Sequence, residues 1–162
     1  MSCDPVLLHV GEDPQTQAFL ADRIYEFNSN ATGCFDGASF SGTQRDESGG
    51  IRAGIHGYTW AGCCYVSHLW VHESERGHGL GTALLRAAEA HATARGCKVA
   101  FLATHSFQAP AFYERLGYQR QAVVQDHPVG HASVLFAKRL PVDDAPHGST
   151  PSNVHSRIPN DA

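Results

Sequence analysis

Apolar positions along the chain recur with two periods, and the switches between them predict its elements. Residues 6–10 are a short apolar run of strand length. Asp13 and Pro14 then supply a helix cap and a first helical position. Leu20, Ile24 and Phe27 follow at helical spacing, so a helix is expected over about 14–28, closed by the polar stretch that ends at Gly33. Strands are expected over 35–45 and 51–60, joined by Asp46-Glu-Ser-Gly-Gly50 as a hairpin turn. Gly54, Gly57 and Gly62 weaken the second strand and predict bulges or the close approach of another group. Residues 63–71 are more apolar and read as a third, central strand.

The second half of the chain is more regular. Leu80, Ala83, Leu84, Ala87, Ala88 and His91 fall on one helical face, and Arg95 with Gly96 supplies a stop. Residues 98–104 form a buried strand, which makes strand, turn, helix and strand one βαβ unit with parallel strands. A short helix is expected from Ala109 and Pro110 to Gly117, followed by strands at 118–125 and 132–140 around a loop at 126–130. Residues 141–162 hold four prolines and no apolar period, and read as a flexible tail behind a single domain over 1–140. The order β-α-β-β-β-α-β-α-β-β predicts an α/β fold, more closely an α+β mixed sheet. Its central sheet should be mostly antiparallel, with six to seven strands and helices on both faces.

Composition narrows the class without changing this picture. At 162 residues, 42% hydrophobic and 17% charged, the chain suits one globular domain. A net charge of −4 gives no broad footprint for nucleic acid. No apolar run reaches the roughly 20 residues a membrane-spanning helix needs, and the first residues lack the pattern of a secretory signal. Five cysteines, an odd number with no Cys-x-x-Cys pair, argue for reduced thiols in the cytoplasm rather than disulfides or zinc. The 11 histidines are scattered, without a helical His-Glu-x-x-His arrangement, so no metal is expected.

Candidate chemistry concentrates where the third strand meets the helix, at Arg76-Gly77-His78-Gly79-Leu80-Gly81. Glycine at every second position lets the main chain turn sharply and come close to a ligand. The N–H groups of the helix start have no internal partners, and the helix dipole adds partial positive charge, a site for a phosphate or pyrophosphate. A Lys-Ser/Thr tail is missing, so this is a poor nucleoside-triphosphate loop. Three antiparallel strands before the turn disagree with a dinucleotide-binding parallel sheet. A coenzyme A diphosphate, which needs neither magnesium nor lysine, fits what is left.

Val71-x-x-x-x-Arg76-Gly77-x-Gly79-x-Gly81 resembles the acetyl-CoA-binding signature of the GNAT superfamily of N-acetyltransferases. Ala109-Pro-Ala-Phe-Tyr-Glu-Arg-Leu-Gly-Tyr118 resembles that family's second motif, and the element order matches from about residue 5 to 140. Ser106-Phe-Gln-Ala-Pro-x-Phe-Tyr113 with the later Pro128-x-Gly-His131 is similar to a group of small bacterial members. The resemblance implies an N-acetyltransferase with acetyl-CoA as co-substrate and no metal. Its acceptor would be an amine of a small molecule, peptide or protein, reached by direct transfer without a covalent enzyme intermediate. The coenzyme would lie along Trp70 and Val71, across Arg76, Gly77, His78, Gly79, Leu80, Gly81 and Thr82, and against Ser106 and Phe112. A backbone N–H at Val71 would hold the oxyanion.

Tyr113 is the candidate acid for the leaving thiolate, since a phenol of pKa about 10 faces a thiol of about 8.5. Packing in the core beside Phe112 is the competing role. Glu73 leads the candidates for a base, followed by His68, His72 and His105, with a chain of water as the alternative. Arg76 either contacts a phosphate or caps the turn, and Tyr58, Trp60 and Trp70 are candidates for the acceptor pocket. Residues 28–36, 46–50 and 126–131 are the segments expected to set the acceptor. A non-catalytic module that binds acyl-CoA and regulates a partner is the reading from another class. No nucleic acid and no membrane is expected among the partners, and the resemblance leaves open a homodimer paired through the late strands.

Overall fold

The computed structural model describes residue 8 and residues 10–141. The expected strand at 6–10 lies largely outside the described residues, as does nearly all of the expected tail. The first helix, α1 (Pro14–Thr32), opens as its sequence predicts. Asp13 accepts the Thr16 N–H at 3.0 Å and the Thr16 hydroxyl at 2.6 Å, and Pro14 takes the first helical position. Those two bonds hold the Asp13 carboxyl below its ordinary pKa. The helix runs four residues past the expected end because its stop is Gly33, left-handed at φ 72°, whose N–H returns to the Ser29 carbonyl. Asn28, Ser29 and Asn30 are poor helix formers, but a helix interior tolerates them at a few tenths of a kcal/mol each, at about that scale.

Six strands follow: β1 (Ala38–Arg45), β2 (Ile51–Trp60), β3 (Cys63–Val71), β4 (Val99–His105), β5 (Gln119–Gln125) and β6 (Ala132–Arg139). They form one sheet in the order β1-β2-β3-β4-β6-β5, antiparallel everywhere except between β3 and β4. The β1–β2 turn is tied by Asp46, whose Oδ1 accepts the N–H groups of Ser48 and Gly50, both at 2.9 Å. Gly57 on β2 marks a close approach, as its position in the strand predicts. A β-carbon there would stand 2.2 Å from the Tyr65 carbonyl oxygen and 2.6 Å from the Phe40 ring.

The crossover between the parallel strands is a 3₁₀ turn at Glu73–Glu75 and α2 (Leu80–Ala94); a short α3 (Pro110–Arg115) joins β4 to β5. Leu85, Ala88 and Ala92 of α2 and Tyr113 of α3 are buried in one cluster with Ile55, Cys64, Val66, Ala100, Leu102, Val134 and Phe136. Strand alternation and the paired registers Cys64↔Ala100, Val66↔Leu102 and Leu102↔Phe136 put all these strand residues on one side. Both helices therefore cover the same face.

Two details differ from the sequence reading. The buried face of α2 is turned by about one position, so that Leu85 and Ala92 enter the core while Ala83, Ala87 and His91 stay exposed. Alanine on every side of the helix leaves the apolar pattern with no sharp edge, and tertiary packing decides the face. The second concerns α1, whose apolar spacing predicts a helix without saying what it packs on. Its Phe19, Leu20, Ile24 and Phe27 are all exposed, and Ser29 is its only buried residue. No helix among the described residues is long and apolar enough to cross a membrane.

Candidate active site

The site begins with a defect in the sheet. β3 and β4 pair in parallel from Cys63↔Val99 to Val66↔Leu102 and then part, although β3 continues to Val71 and β4 to His105. On the other edge of β3, His56 pairs with His68 and Gly57 with Val66, so Ser67 is an extra residue, a β-bulge. A bulge bends its strand and increases the local twist, which carries β3 away from β4. It also switches the faces: Val66 is buried toward the helices before it, while Leu69 and Val71 point that way after it.

The gap so opened has main-chain donors along one wall. The His72 N–H donates to the Arg52 carbonyl of β2 at 2.8 Å. Successive N–H groups of a strand point to opposite edges, so the N–H of Val71 points into the gap.

Just beyond, Gly77 and Gly79 hold left-handed backbone at φ 81° and 86°. Gly79 is the N-cap of α2 and no side chain caps the helix, whose first internal bond runs from the Ala83 N–H to the Gly79 carbonyl at 2.9 Å. The N–H groups of Leu80, Gly81 and Thr82 are thus left outward, at the positive end of the helix dipole. Arg76 Nε donates to the Val71 carbonyl at 3.2 Å, so its guanidinium closes the turn back onto the strand. That bond is a closure of the turn, one of the two roles expected of Arg76. His78 lies exposed between the glycines.

α3 brings the second motif against this turn. A β-carbon at Gly81 would lie 3.4 Å from the Phe112 ring and 3.6 Å from Val71. Tyr113, the next residue, packs its ring against Phe112, Tyr118 and Phe136 at centroid distances of 5.0, 6.0 and 6.0 Å. Burial pushes its phenol above the ordinary value, so the group holds its proton at neutral pH. Its hydroxyl is not among the buried side-chain atoms that lack a partner. Of the two roles weighed for Tyr113, the ring contacts describe packing in the core.

The remaining candidates are placed less closely. Trp70 is exposed on β3, on the face away from the helices. Ser106 faces β6, where its Oγ accepts the Ala132 N–H at 3.1 Å and its own N–H donates to the Ala132 carbonyl at 2.7 Å. Glu73 is exposed on the 3₁₀ turn, and its carbonyl accepts the Arg76 N–H at 3.3 Å. Its neighbour Glu75 is paired with Arg52. His72 is engaged with Ser74, whose N–H reaches His72 Nδ1 at 3.3 Å.

Sequence reasoning missed one assembly. At the end of β4, His105, Phe107, His127 and His131 meet in a single group, with His105 stacked on Phe107 and the other contacts edge-on, at ring-centroid distances of 4.8 to 5.3 Å. Gln108 supports it, its Oε1 accepting the His105 N–H and the Thr104 hydroxyl, both at 2.9 Å. Pro128-x-Gly-His131 marked the loop, but nothing in the linear order tied it to His105.

Residues 11–118 match the sequence profile of the Acetyltransferase (GNAT) family. A blasticidin-S acetyltransferase of Streptomyces morookaense is 40% identical over 95 residues, which are 58% of this chain and 70% of the relative. An acetyltransferase of Agrobacterium fabrum is 32% identical over 128 residues, 79% of this chain and 93% of the relative. The crystal structure of an acetyltransferase from Bacillus cereus superposes with a TM-score of 0.70 at 31% identity, over 82% of this chain and 98% of that one.

Proposed function

The chain belongs to the GNAT family of acetyltransferases, and on that premise we propose that it passes an acetyl group from acetyl-CoA directly to the amine of a small molecule. The observation that carries this reading is the convergence of an uncapped helix start, Gly77 and Gly79, with Phe112 and Tyr113 at the end of a split pair of strands. The N–H groups of Leu80, Gly81 and Thr82 would receive the coenzyme diphosphate. The pantetheine arm would enter the gap between β3 and β4, with its amide groups paired to the free edge of Leu69–Val71. There the Val71 N–H would polarise the thioester carbonyl and hold the oxyanion. Once the amine has added to the carbonyl carbon, the C–S bond breaks and Tyr113 gives its proton to the departing sulfur. A phenol kept protonated by burial is suited to that step, and a thiol is a comparable acid once free.

The relative from Streptomyces morookaense is named for blasticidin-S, so blasticidin S is the first acceptor to offer, beside a panel of primary amines. Coenzyme release should follow acetyl-CoA and amine together. Tyr113→Phe should lower kcat by about 100-fold, the lower range of general acid catalysis, with acetyl-CoA affinity unchanged. Tight acetyl-CoA binding without turnover on any amine would overturn the reading.

A further inference from the structure

We propose that His105 is the base that takes the proton of the attacking amine, which enters from the face of the sheet opposite α2 and α3. The assignment rests on the acetyl transfer proposed above and adds the half of the reaction that Tyr113 leaves unserved.

The two faces divide the reaction. Ala100, Leu102 and Thr104 of β4 are buried toward the helices, as are Cys64 and Val66 of β3. Alternation turns Phe101, Ala103 and His105 to the other side, and the bulge at Ser67 turns His68 and Trp70 to that side as well. The start of α2, Phe112 and Tyr113 all lie on the covered side. A thioester in the gap therefore has Tyr113 on one side and open access on the other. His105 is three residues beyond Leu102, the last residue paired with β3, so it stands about 10 Å along the gap at the usual rise per residue. Counting the bulge, the same number of steps along β3 ends at Trp70, one residue before Val71.

The imidazole is held in the form that a base requires. His105 Nδ1 lies 3.1 Å from the His127 carbonyl oxygen. A carbonyl only accepts, so Nδ1 carries the hydrogen and the neutral ring keeps its lone pair on Nε2. Phe107 stacks on the ring at 5.2 Å and 12°, and Gln108 fixes the backbone N–H, so the orientation is set before any ligand arrives.

The other candidates do not combine these features. His72 Nδ1 accepts the Ser74 N–H, which leaves its Nε2 carrying the hydrogen in the neutral ring. Glu73 is exposed on the 3₁₀ turn, and among the described residues no side chain pairs with its carboxylate. The titratable groups around His105 are His127 in ring contact at 5.3 Å, and His131 and Asp126 in the same loop. His68 of β3 and His72 just past its end lie on the same open side, and the partner on β6 is the neutral Ser133.

The balance of the step is simple. The neutral amine adds to the carbonyl carbon, and its surplus proton passes to His105 Nε2. The C–S bond breaks, and the sulfur takes the proton of Tyr113. The proton on His105 returns to the phenolate through solvent, leaving one amide and one free thiol.

The test measures kcat/KM against pH with acetyl-CoA and the fastest amine of the panel above. The wild type should show an acid limb in that profile, since only the neutral imidazole can take the proton. His105→Gln should lose that limb and fall by about 100-fold at neutral pH, with acetyl-CoA affinity and thermal melting unchanged. His105→Ala should be partly restored by added imidazole, a rescue that a purely structural role would not give. Wild-type turnover with an unaltered pH profile in His105→Gln would overturn the base and leave the transferase reading standing. Loss of the limb in Glu73→Gln, with its retention in His105→Gln, would do the same. No coenzyme release from any amine would overturn both.

Discussion

On one face of the sheet, Leu85, Ala88 and Ala92 of α2 and Tyr113 of α3 close over Cys64, Val66, Leu102 and Phe136. On the other, Tyr58 and Trp70 are about half exposed, at 46% and 48%; elsewhere, α1 buries none of its large apolar side chains. The first face is held by packing, and the glycine turn before α2 sits at its rim. The second is a ladder of rings, Tyr58 to Tyr65 at 5.4 Å and Tyr65 to Phe101 at 5.0 Å, that leads toward His105. On the proposed function, rigidity is invested where acetyl-CoA would be gripped, and openness where the acceptor would enter. Substitutions on the two faces should separate accordingly.

The largest difference should appear in stability. Leu85 is fully buried, and Leu85→Ala should cost about 2–5 kcal/mol, the range for a leucine deleted from a packed core. Tyr58→Ala, on the open face, should cost less than half as much in the same denaturant titration. Equal losses would mean that the open face is as tightly packed as the covered one.

A step smaller is the glycine turn itself. Gly79→Ala places a side chain at φ 86°, a left-handed conformation that costs about 1–2 kcal/mol. Acetyl-CoA affinity should fall by about tenfold, since 1.4 kcal/mol is a factor of ten. Gly81 has no positive φ, and its added β-carbon would make ordinary contact with Phe112 and Val71. Gly81→Ala should therefore bind acetyl-CoA nearly as the wild type does. A calorimetric titration of both variants decides whether the turn works through its backbone conformation or only through its lack of bulk.

How far the sequence reached follows the same division. The bounds of β2 and β3 and the start of α2 were legible because apolar runs, the hairpin turn and the glycine turn are local signals. The glycine turn and Tyr113 stood out as candidates because each sits inside a contiguous motif. The bulge at Ser67 was not, since it exists only in the register between β2 and β3 and no residue type demands it. The same holds for His105, whose lone pair is defined by a carbonyl 22 residues away in another loop. The face of α2 was misplaced by alanines that suit either side. Leu20, Ile24 and Phe27 did mark a helix, but helical spacing cannot say whether anything packs on it.

Thiols one residue apart sharpen the comparison further. Cys64 faces the helices and Cys63 the open side. Burial first, then the neighbouring thiols and Glu89, push Cys64 up to about 12. The folded chain therefore keeps a proton that the unfolded chain releases above its ordinary value near 9. Unfolding then releases a proton, so stability should decline as pH rises from about 9 towards 12, at no more than about 1.4 kcal/mol per unit for this group. Cys64→Ala should flatten that slope. At pH 8, iodoacetamide should label Cys63 and Cys34 well before Cys64, and mass mapping of the labelled peptides checks the order.

The smallest effect belongs to α1. Ile24 and Phe27 are 60% and 71% exposed, and glutamine is a good helix former, so neither substitution disturbs the backbone. Ile24→Gln and Phe27→Gln should each change stability by no more than about 0.5 kcal/mol, as surface replacements do. Asp13→Ala is the internal control. It removes the cap on the Thr16 N–H, a change worth about 1 kcal/mol, so the same assay must detect it. If either apolar replacement cost more than the cap, α1 would have to bury that stripe in solution. The contrast between a packed face and an open one would then shrink by one helix.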